Sequence, residues 1–345
     1  MQPADIRDVA LRAGVSVATV SNVLNRPGIV ASDTRRRVQD AVDALGYVRN
    51  ESARQLRMGH SRTIGLIVPD IANPFFTDVA RGVEDTARAA GSLVIVCNTD
   101  DDPDKERRYL TLLAEQQVQG ALSVLVRGAQ RAAPLLRDRN VPVVLLDSTG
   151  VAGEQCSVAV HDVTGGRIAV QHLLDIGHRR IGLVGSGYAA HQVVDRVAGA
   201  RQAISEAGLA PGALLSLPTS QLNVAGGTEA ARQLLELSRR RRPTGLVCVN
   251  DLIALGVMHE LLRAGLIVPD DVAIVGYDDI GFAETAPIPL TSIRQPRQRL
   301  GARATELLLA EASGEEHQHQ SVVFEPELVV RASSDTDARK AGGES

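Results

Sequence analysis

Two kinds of hydrophobic patterning divide this chain. Between Ile6 and Leu45, apolar positions recur every three or four residues in short stretches broken by polar and glycine positions. That spacing lines one face of a helix. From Thr63 onward, short continuous apolar runs alternate with longer amphipathic stretches. The runs are Ile64–Val68, Leu93–Cys97, Ala121–Val126, Val143–Leu146, Ile181–Val184, Leu246–Val249 and Val272–Val275. Continuous apolarity predicts strands buried on both faces, as in parallel sheets covered by helices. Between the strands, stretches such as Thr164–Ile176 place Ile168, Ala169, His172, Leu173 and Ile176 on one side. The pattern is a repeated βα unit. Arg62-Thr63-Ile64-Gly65-Leu66 is echoed by Arg179-Arg180-Ile181-Gly182-Leu183. This echo predicts two similar doubly wound halves facing each other across a cleft.

The N-terminal stretch IRDVALRAGVSVATVSNVLN, Ile6 to Asn25, carries a second message. Ala10 is small enough for two helices to approach. Gly14 supplies a turn conformation that a Cβ disfavours. Val20 locks the second helix onto the first. Ser16 is suited to cap a helix over Val17–Leu24, and Ser32 to cap a third over Asp33–Leu45, with Val38, Ala41, Val42 and Leu45 on one face. Three such helices make a helix-turn-helix head, whose second helix enters the DNA major groove. Charge agrees. Residues 1–62 hold ten Arg against six Asp or Glu, whereas the whole chain carries a net charge of −4. A basic head on an acidic body suits phosphate binding.

Composition excludes several classes. The chain has 345 residues, enough for two or three domains, and 44% are hydrophobic, but it has no Trp and few aromatics. Its cores must be packed by Val, Leu, Ile and Ala. Cys97, Cys156 and Cys248 are scattered without metal-ligand spacing, so they are expected to be small core residues, with no metal and no cofactor. No leader peptide or 18-residue apolar run is visible. A cytoplasmic location and no membrane contact are expected.

Ligands of open α/β sheets sit beyond the carboxyl ends of strands. Here those ends carry Asp70, Asn73, Asp147, Asn250, Asp251 and Asp278. Converging carboxylates and amides suit a polyhydroxylated ligand, because each hydroxyl needs a donor and an acceptor. Singly, each could simply cap the following helix.

The motifs DVA-x3-GVS-x2-TVS-x-VLN (Asp8–Asn25), ALGY (Ala44–Tyr47), IGLIVPDIANPFF (Ile64–Phe76), HLL-x2-GHRRI (His172–Ile181), NDLIALG (Asn250–Gly256), VGYDD (Val275–Asp279) and T-x-I-R-Q-P (Thr291–Pro296) closely resemble those of the lactose-repressor (LacI/GalR) family. The resemblance runs from Ile6 to about Ser333. It implies an α/β chain with a helix-turn-helix head over 1–48, a hinge over 49–61 and a two-lobed effector-binding and dimerisation body of periplasmic-binding-protein type over 62–333, and the polar, glycine-containing composition of 334–345 predicts a disordered tail. The resemblance implies a homodimeric repressor on a palindromic operator, controlled by a small sugar-like effector. By position, Val17, Ala18, Ser21 and Asn22 would face DNA, with Thr19, Ser21 and Asn25 on phosphates. Leu56 of the hinge segment Asn50–Met58 would wedge into the minor groove. Asn73, Phe75, Phe76, Asp147, Arg196, Asn250, Asp278 and Gln295 would hold the effector. Leu222 stands near the place where the family often has an aromatic. The chain also departs from the family in the head and hinge. Asn22 replaces a common Arg, Arg49 a common Pro, and Glu51 adds a negative charge beside the hinge.

Two rival readings carry different expectations. Gly185-Ser186-Gly187-Tyr188-Ala189-Ala190 fits a dinucleotide fingerprint, which alone would suggest a nicotinamide-dependent enzyme. No nucleophile–base pair or acidic ribose partner accompanies it, so no catalytic residue is expected. A transport-type sugar-binding protein would share the body but not the head.

Overall fold

The computed structural model describes residues 4–48, 61–124, 136, 139, 141–148, 153–187, 190–314 and 316–335. These form two compact units that divide between Ser61 and Arg62. Leu56 and the other hinge residues over 49–60 lie outside the described residues.

The first unit is a bundle of α1 (Ile6–Ala13), α2 (Val17–Asn25) and α3 (Ser32–Leu45). Asp5 starts α1 through a capping box. Its Oδ1 accepts the amides of Arg7 and Asp8 at 2.7 and 3.1 Å, while Asp8 Oδ2 accepts the Asp5 amide at 2.8 Å. Gly14 ends the helix at φ +63°, where an L side chain is disfavoured. Ser16 Oγ then accepts the Thr19 amide at 3.1 Å and opens α2. Val9, Ala10, Ala13, Val20, Val23, Val38 and Ala41 form the core. Ser32, expected as a cap, is instead the first residue of α3. Ala31 precedes the helix and makes no side-chain bond.

The second unit contains two six-stranded sheets. The first lobe is built from β1 (Thr63–Val68), α4 (Pro74–Ala89), β2 (Leu93–Asn98), α5 (Pro103–Glu115), β3 (Gly120–Val124), β4 (Val143–Leu146) and β5 (Ser157–Val160). The second has α6 (Asp162–Asp175), β6 (Ile181–Val184), α7 (His191–Glu206), β7 (Leu214–Leu217), α8 (Val224–Glu236), β8 (Gly245–Cys248), α9 (Asp251–Arg263), β9 (Ala273–Asp278), α10 (Gly281–Thr285) and β10 (Thr291–Arg294). The chain then returns to the first lobe for α11 (Arg297–Ala312) and β11 (Ser321–Phe324), and ends in the second with β12 (Glu327–Val329). It therefore crosses between lobes three times, after β5, β10 and β11. Strand orders are β11-β5-β4-β3-β1-β2 and β12-β10-β9-β8-β6-β7. All pairs are parallel except β10 with β12. The two echoed segments are β1 and β6, which hold the same place in the two sheets.

Several expectations need correction. The α6 helix begins two residues before Thr164, at Asp162. Strands β5, β10, β11 and β12 are too short or too polar to stand out as apolar runs. The run at Leu93–Cys97 is not buried on both faces. As β2 it forms a sheet edge, and Leu93, Ile95 and Val96 are 64%, 44% and 42% exposed. Nor does the body stop at Ser333. Ser334 is buried and hydrogen-bonds His172 Nε2 and the Thr291 hydroxyl, each at 2.7 Å. Residues 336–345 lie outside the described residues.

The helices α6 and α7 approach unusually closely. A Cβ on Gly166 would lie 2.0 Å from the Arg196 carbonyl oxygen, and one on Gly199 would lie 1.8 Å from that of Val163. Glycine on both sides of the contact lets the two backbones touch, and the contact fixes Arg196 at the floor of the cleft.

Candidate ligand cleft and DNA-binding head

A cavity of about 410 Å³ opens between the two lobes at the carboxyl ends of their strands. The first lobe contributes Asp70, Asn73, Phe75 and Phe76 after β1, Asp100 and Asp101 after β2, and Asp147 after β4. The second contributes Gln192, Val193 and Arg196 from α7, Leu222 and Asn223 before α8, Asn250 after β8 and Asp278 at the end of β9. Seven of the eight expected effector residues line this space. Gln295 does not. It is buried behind it, with Nε2 donating to Asp278 Oδ1 at 2.7 Å, so its role is to orient that carboxylate.

The amides have a double duty. Asn73 Oδ1 accepts the Phe75 amide at 3.0 Å and caps α4. Asn250 Oδ1 accepts the Ile253 amide at 2.9 Å and caps α9, while its Nδ2 donates to the Leu222 carbonyl at 2.8 Å. Helix capping and cleft lining are therefore one arrangement rather than alternatives, and the cap fixes which way each amide points. Phe75 and Phe76 are buried and pack edge to face, with centroids 5.0 Å apart.

Charge in the cleft is arranged around Arg196, which is buried. Its Nε donates to Asp162 at 2.7 Å and one terminal nitrogen to the Val249 carbonyl at 2.6 Å. Its guanidinium lies 3.7 Å over the Tyr277 ring, and Tyr277 in turn donates to the same Asp162 oxygen at 2.8 Å. Burial opposes charge on Arg196, but Asp162, Asp278 and Asp147 hold it above the ordinary arginine range. Desolvation pushes Asp147 up to about 7, with Asp162 adding repulsion. Asp278 rises to about 8 for the same first reason, against the pull of Arg196. Asp147 Oδ1 is buried and accepts no hydrogen bond among the described residues. Both aspartates also sit in disfavoured backbone conformations, at φ +54° and +106°. Strain and unmet hydrogen-bonding capacity at one place mark a site that something else completes.

Sequence reasoning missed Asp162 and Tyr277, which position Arg196 from below. It also missed Asp100, Asp101, Gln192 and Asn223 on the cleft wall. Asp162 sits at the first position of α6 and looks like a helix-start acid. Tyr277 hides inside an apolar strand run.

The dinucleotide-like glycines have a packing role. Gly185 adopts φ +89°, and a Cβ there would meet Val249 at 2.4 Å.

In the head, Val17, Ala18, Asn22 and Asn25 are exposed, and Thr19 and Ser21 half-buried. Positions 17, 18, 21, 22 and 25 share one helical face, opposite the buried Val20 and Val23. Asn25 Nδ2 donates to the Ser21 carbonyl at 2.8 Å.

Residues 5–50 match the bacterial regulatory proteins, lacI family, and residues 170–334 a periplasmic binding protein-like domain. The chain is 36% identical to the HTH-type transcriptional repressor PurR of Vibrio campbellii, over 95% of this chain and 98% of that one. It is 35% identical to the PurR of Photobacterium profundum, over 96% and 98%. Among solved structures, the lac repressor bound to ONPG in its repressed state is similar with a TM-score of 0.83 and 27% identity, covering 96% of this chain and 100% of that one. A LacI family regulator from Enterococcus faecium with bound ribose is similar with a TM-score of 0.72 and 31% identity, over 79% and 98%. With a helix-turn-helix head, a two-lobed body and repressor relatives along nearly its whole length, this chain belongs to the LacI family of bacterial regulatory proteins and is a DNA-binding transcriptional regulator, not an enzyme.

Proposed function

We propose that the protein is a homodimeric repressor whose operator affinity is set by a neutral sugar in the cleft. The observation that carries the sugar assignment is the charge of the wall. Five aspartates, Asp70, Asp100, Asp101, Asp147 and Asp278, face one guanidinium, Arg196, and Asp147 and Asp278 share their protons with solvent only near pH 7 to 8. Hydroxyl groups satisfy such acceptors, and Arg196 and Asn73 supply donors in return. Phe75 and Phe76 offer apolar surface to a sugar ring. A phosphorylated ligand would find a single cation, Arg196, in an otherwise acidic wall. Similar structures hold cellobiose, ribose and ONPG, which supports a carbohydrate over a dinucleotide.

The dimer assignment rests on β2. An apolar edge strand left in water is an aggregation hazard, and a second copy of the chain seated on Leu93, Ile95 and Val96 removes it. A similar lac repressor structure is a dimer on operator. In this reading α2 of each copy enters the major groove of one half-site of a near-palindrome. Val17, Ala18 and Asn22 meet base edges, Thr19, Ser21 and Asn25 meet phosphates, and Leu56 wedges the central step from the minor groove. The regulator works where the DNA is, in the cytoplasm.

Calorimetric titration with pentoses, hexoses, nucleosides and sugar phosphates tests the effector class. Binding of a free sugar, lost in Arg196→Ala and absent for its phosphate, is expected. Binding of a sugar phosphate in preference to any free sugar would overturn the assignment.

A further inference from the structure

A second constellation lies in the first lobe at the amino end of β5, apart from the cleft lining at the carboxyl ends of the strands. Cys156 immediately precedes β5, Glu311 stands in the last turn of α11, and His317 and His319 lie in the segment leading into β11. One ligand atom from each of the four lies within 4.8 Å of all the others. Cys156 Sγ is 3.0 Å from His317 Nε2 and 3.9 Å from His319 Nδ1. Glu311 Oε2 is 4.0 Å from the first of these nitrogens and 3.9 Å from the second. The thiol is fully buried, and the other three side chains are 13–27% exposed.

Most of these separations are long for direct pairwise bonds and short for groups that ignore one another. Ligand bonds of about 2.3 Å to sulfur and 2.0–2.1 Å to nitrogen or oxygen give a tetrahedron with edges of roughly 3.3–3.6 Å. Four of the six separations, 3.0–4.0 Å, bracket those edges, and the other two are no longer than 4.8 Å. The Gln320 amide also donates to Cys156 Sγ at 3.4 Å. Such an amide supports a metal-bound thiolate from outside the ligand shell. The two imidazoles of His317-x-His319 lie close together, with ring centroids 5.5 Å apart. Cysteine spacing alone could not reveal the site. Cys156 is as buried as a core residue should be, and its partners arrive from more than 150 positions away.

We propose that Cys156, Glu311, His317 and His319 bind one zinc ion. One thiolate, two imidazoles and one carboxylate form a donor set that suits zinc, and four protein ligands make the site structural rather than catalytic. Its position gives it a consequence. Each of the three elements it joins carries, at its other end, one of the three crossings between the lobes: β5 leads into α6, α11 follows β10, and β11 leads into β12. The ion fastens the first-lobe ends of all three.

The test uses the tag-free, full-length protein, stripped with chelator and titrated with Zn²⁺ or Co²⁺. One equivalent per chain is expected, with a thiolate-to-cobalt charge-transfer band that Cys156→Ser abolishes. The double variant His317→Gln/His319→Gln should lose at least about 100-fold in zinc affinity, since even outer-shell changes cost 10–100-fold. Its metal-free melting temperature should stay near that of the metal-free wild type, and only the wild type should gain stability from Zn²⁺. A cobalt form without the thiolate band, or a double variant that binds zinc as tightly as the wild type, would overturn the site.

Discussion

Asn22 is the residue of the head that we propose reads a base edge of the operator. It lies exposed on the same face of α2 as Val17 and Ala18. Asparagine pairs bidentately with adenine N6 and N7, each good pair giving about 1–3 kcal/mol of discrimination. Selecting operators with the wild type and with Asn22→Ala should therefore return different preferred sequences at one position of each half-site. Identical preferences would reduce Asn22 to a phosphate contact. In the cleft, Asp147 and Asp278 are the residues whose protonation matters. Both titrate above their unfolded values near 4, so the folded protein holds more protons between pH 4 and about 8. Their contribution to stability is greatest at the acid end and is lost as pH rises through 7 to 8. A ligand whose hydroxyls donate to these carboxylates favours their ionised forms. Sugar binding at pH 7 should therefore release protons, seen as a dependence of calorimetric heat on the ionisation enthalpy of the buffer. Proton uptake on binding would mean that the acids are held protonated by the ligand instead.

At the scale of elements, helix pairing decides whether the cleft keeps its floor. Gly199 has the Val163 carbonyl where a methyl group would go. Overpacking of this kind costs about 1–3 kcal/mol. Gly199→Ala should show that loss in urea unfolding, together with weaker ligand binding because Arg196 shifts with α7. A fully stable variant with unchanged affinity would show that the two helices can separate freely. Such contacts also mark where legibility ended. The three head helices and the repeated βα units were readable from local spacing, and Asn73, Asp147, Asn250 and Asp278 from strand ends, whereas Phe75, Phe76 and Arg196 were reached only through the family resemblance. The Arg196–Asp162–Tyr277 arrangement was not readable, because Asp162 and Tyr277 are 115 positions apart. The exposure of β2 escaped for another reason. Leu93, Ile95 and Val96 are as apolar as the residues of a central strand, so the run alone does not reveal an edge.

At the scale of the whole molecule, the head and the body perform separable tasks, and regulation consists of coupling them. The three crossings between lobes make the cleft a natural place for a ligand to choose between two arrangements of the body. Such a coupling typically has a free energy of 1–3 kcal/mol, or a change in operator affinity of roughly 5–150-fold. The most direct test is operator binding by the purified protein with and without the sugar that binds best, repeated with Arg196→Ala. A shift within that range, in either direction, is expected for the wild type and should vanish in the variant. An operator affinity that the bound sugar leaves unchanged would contradict the account.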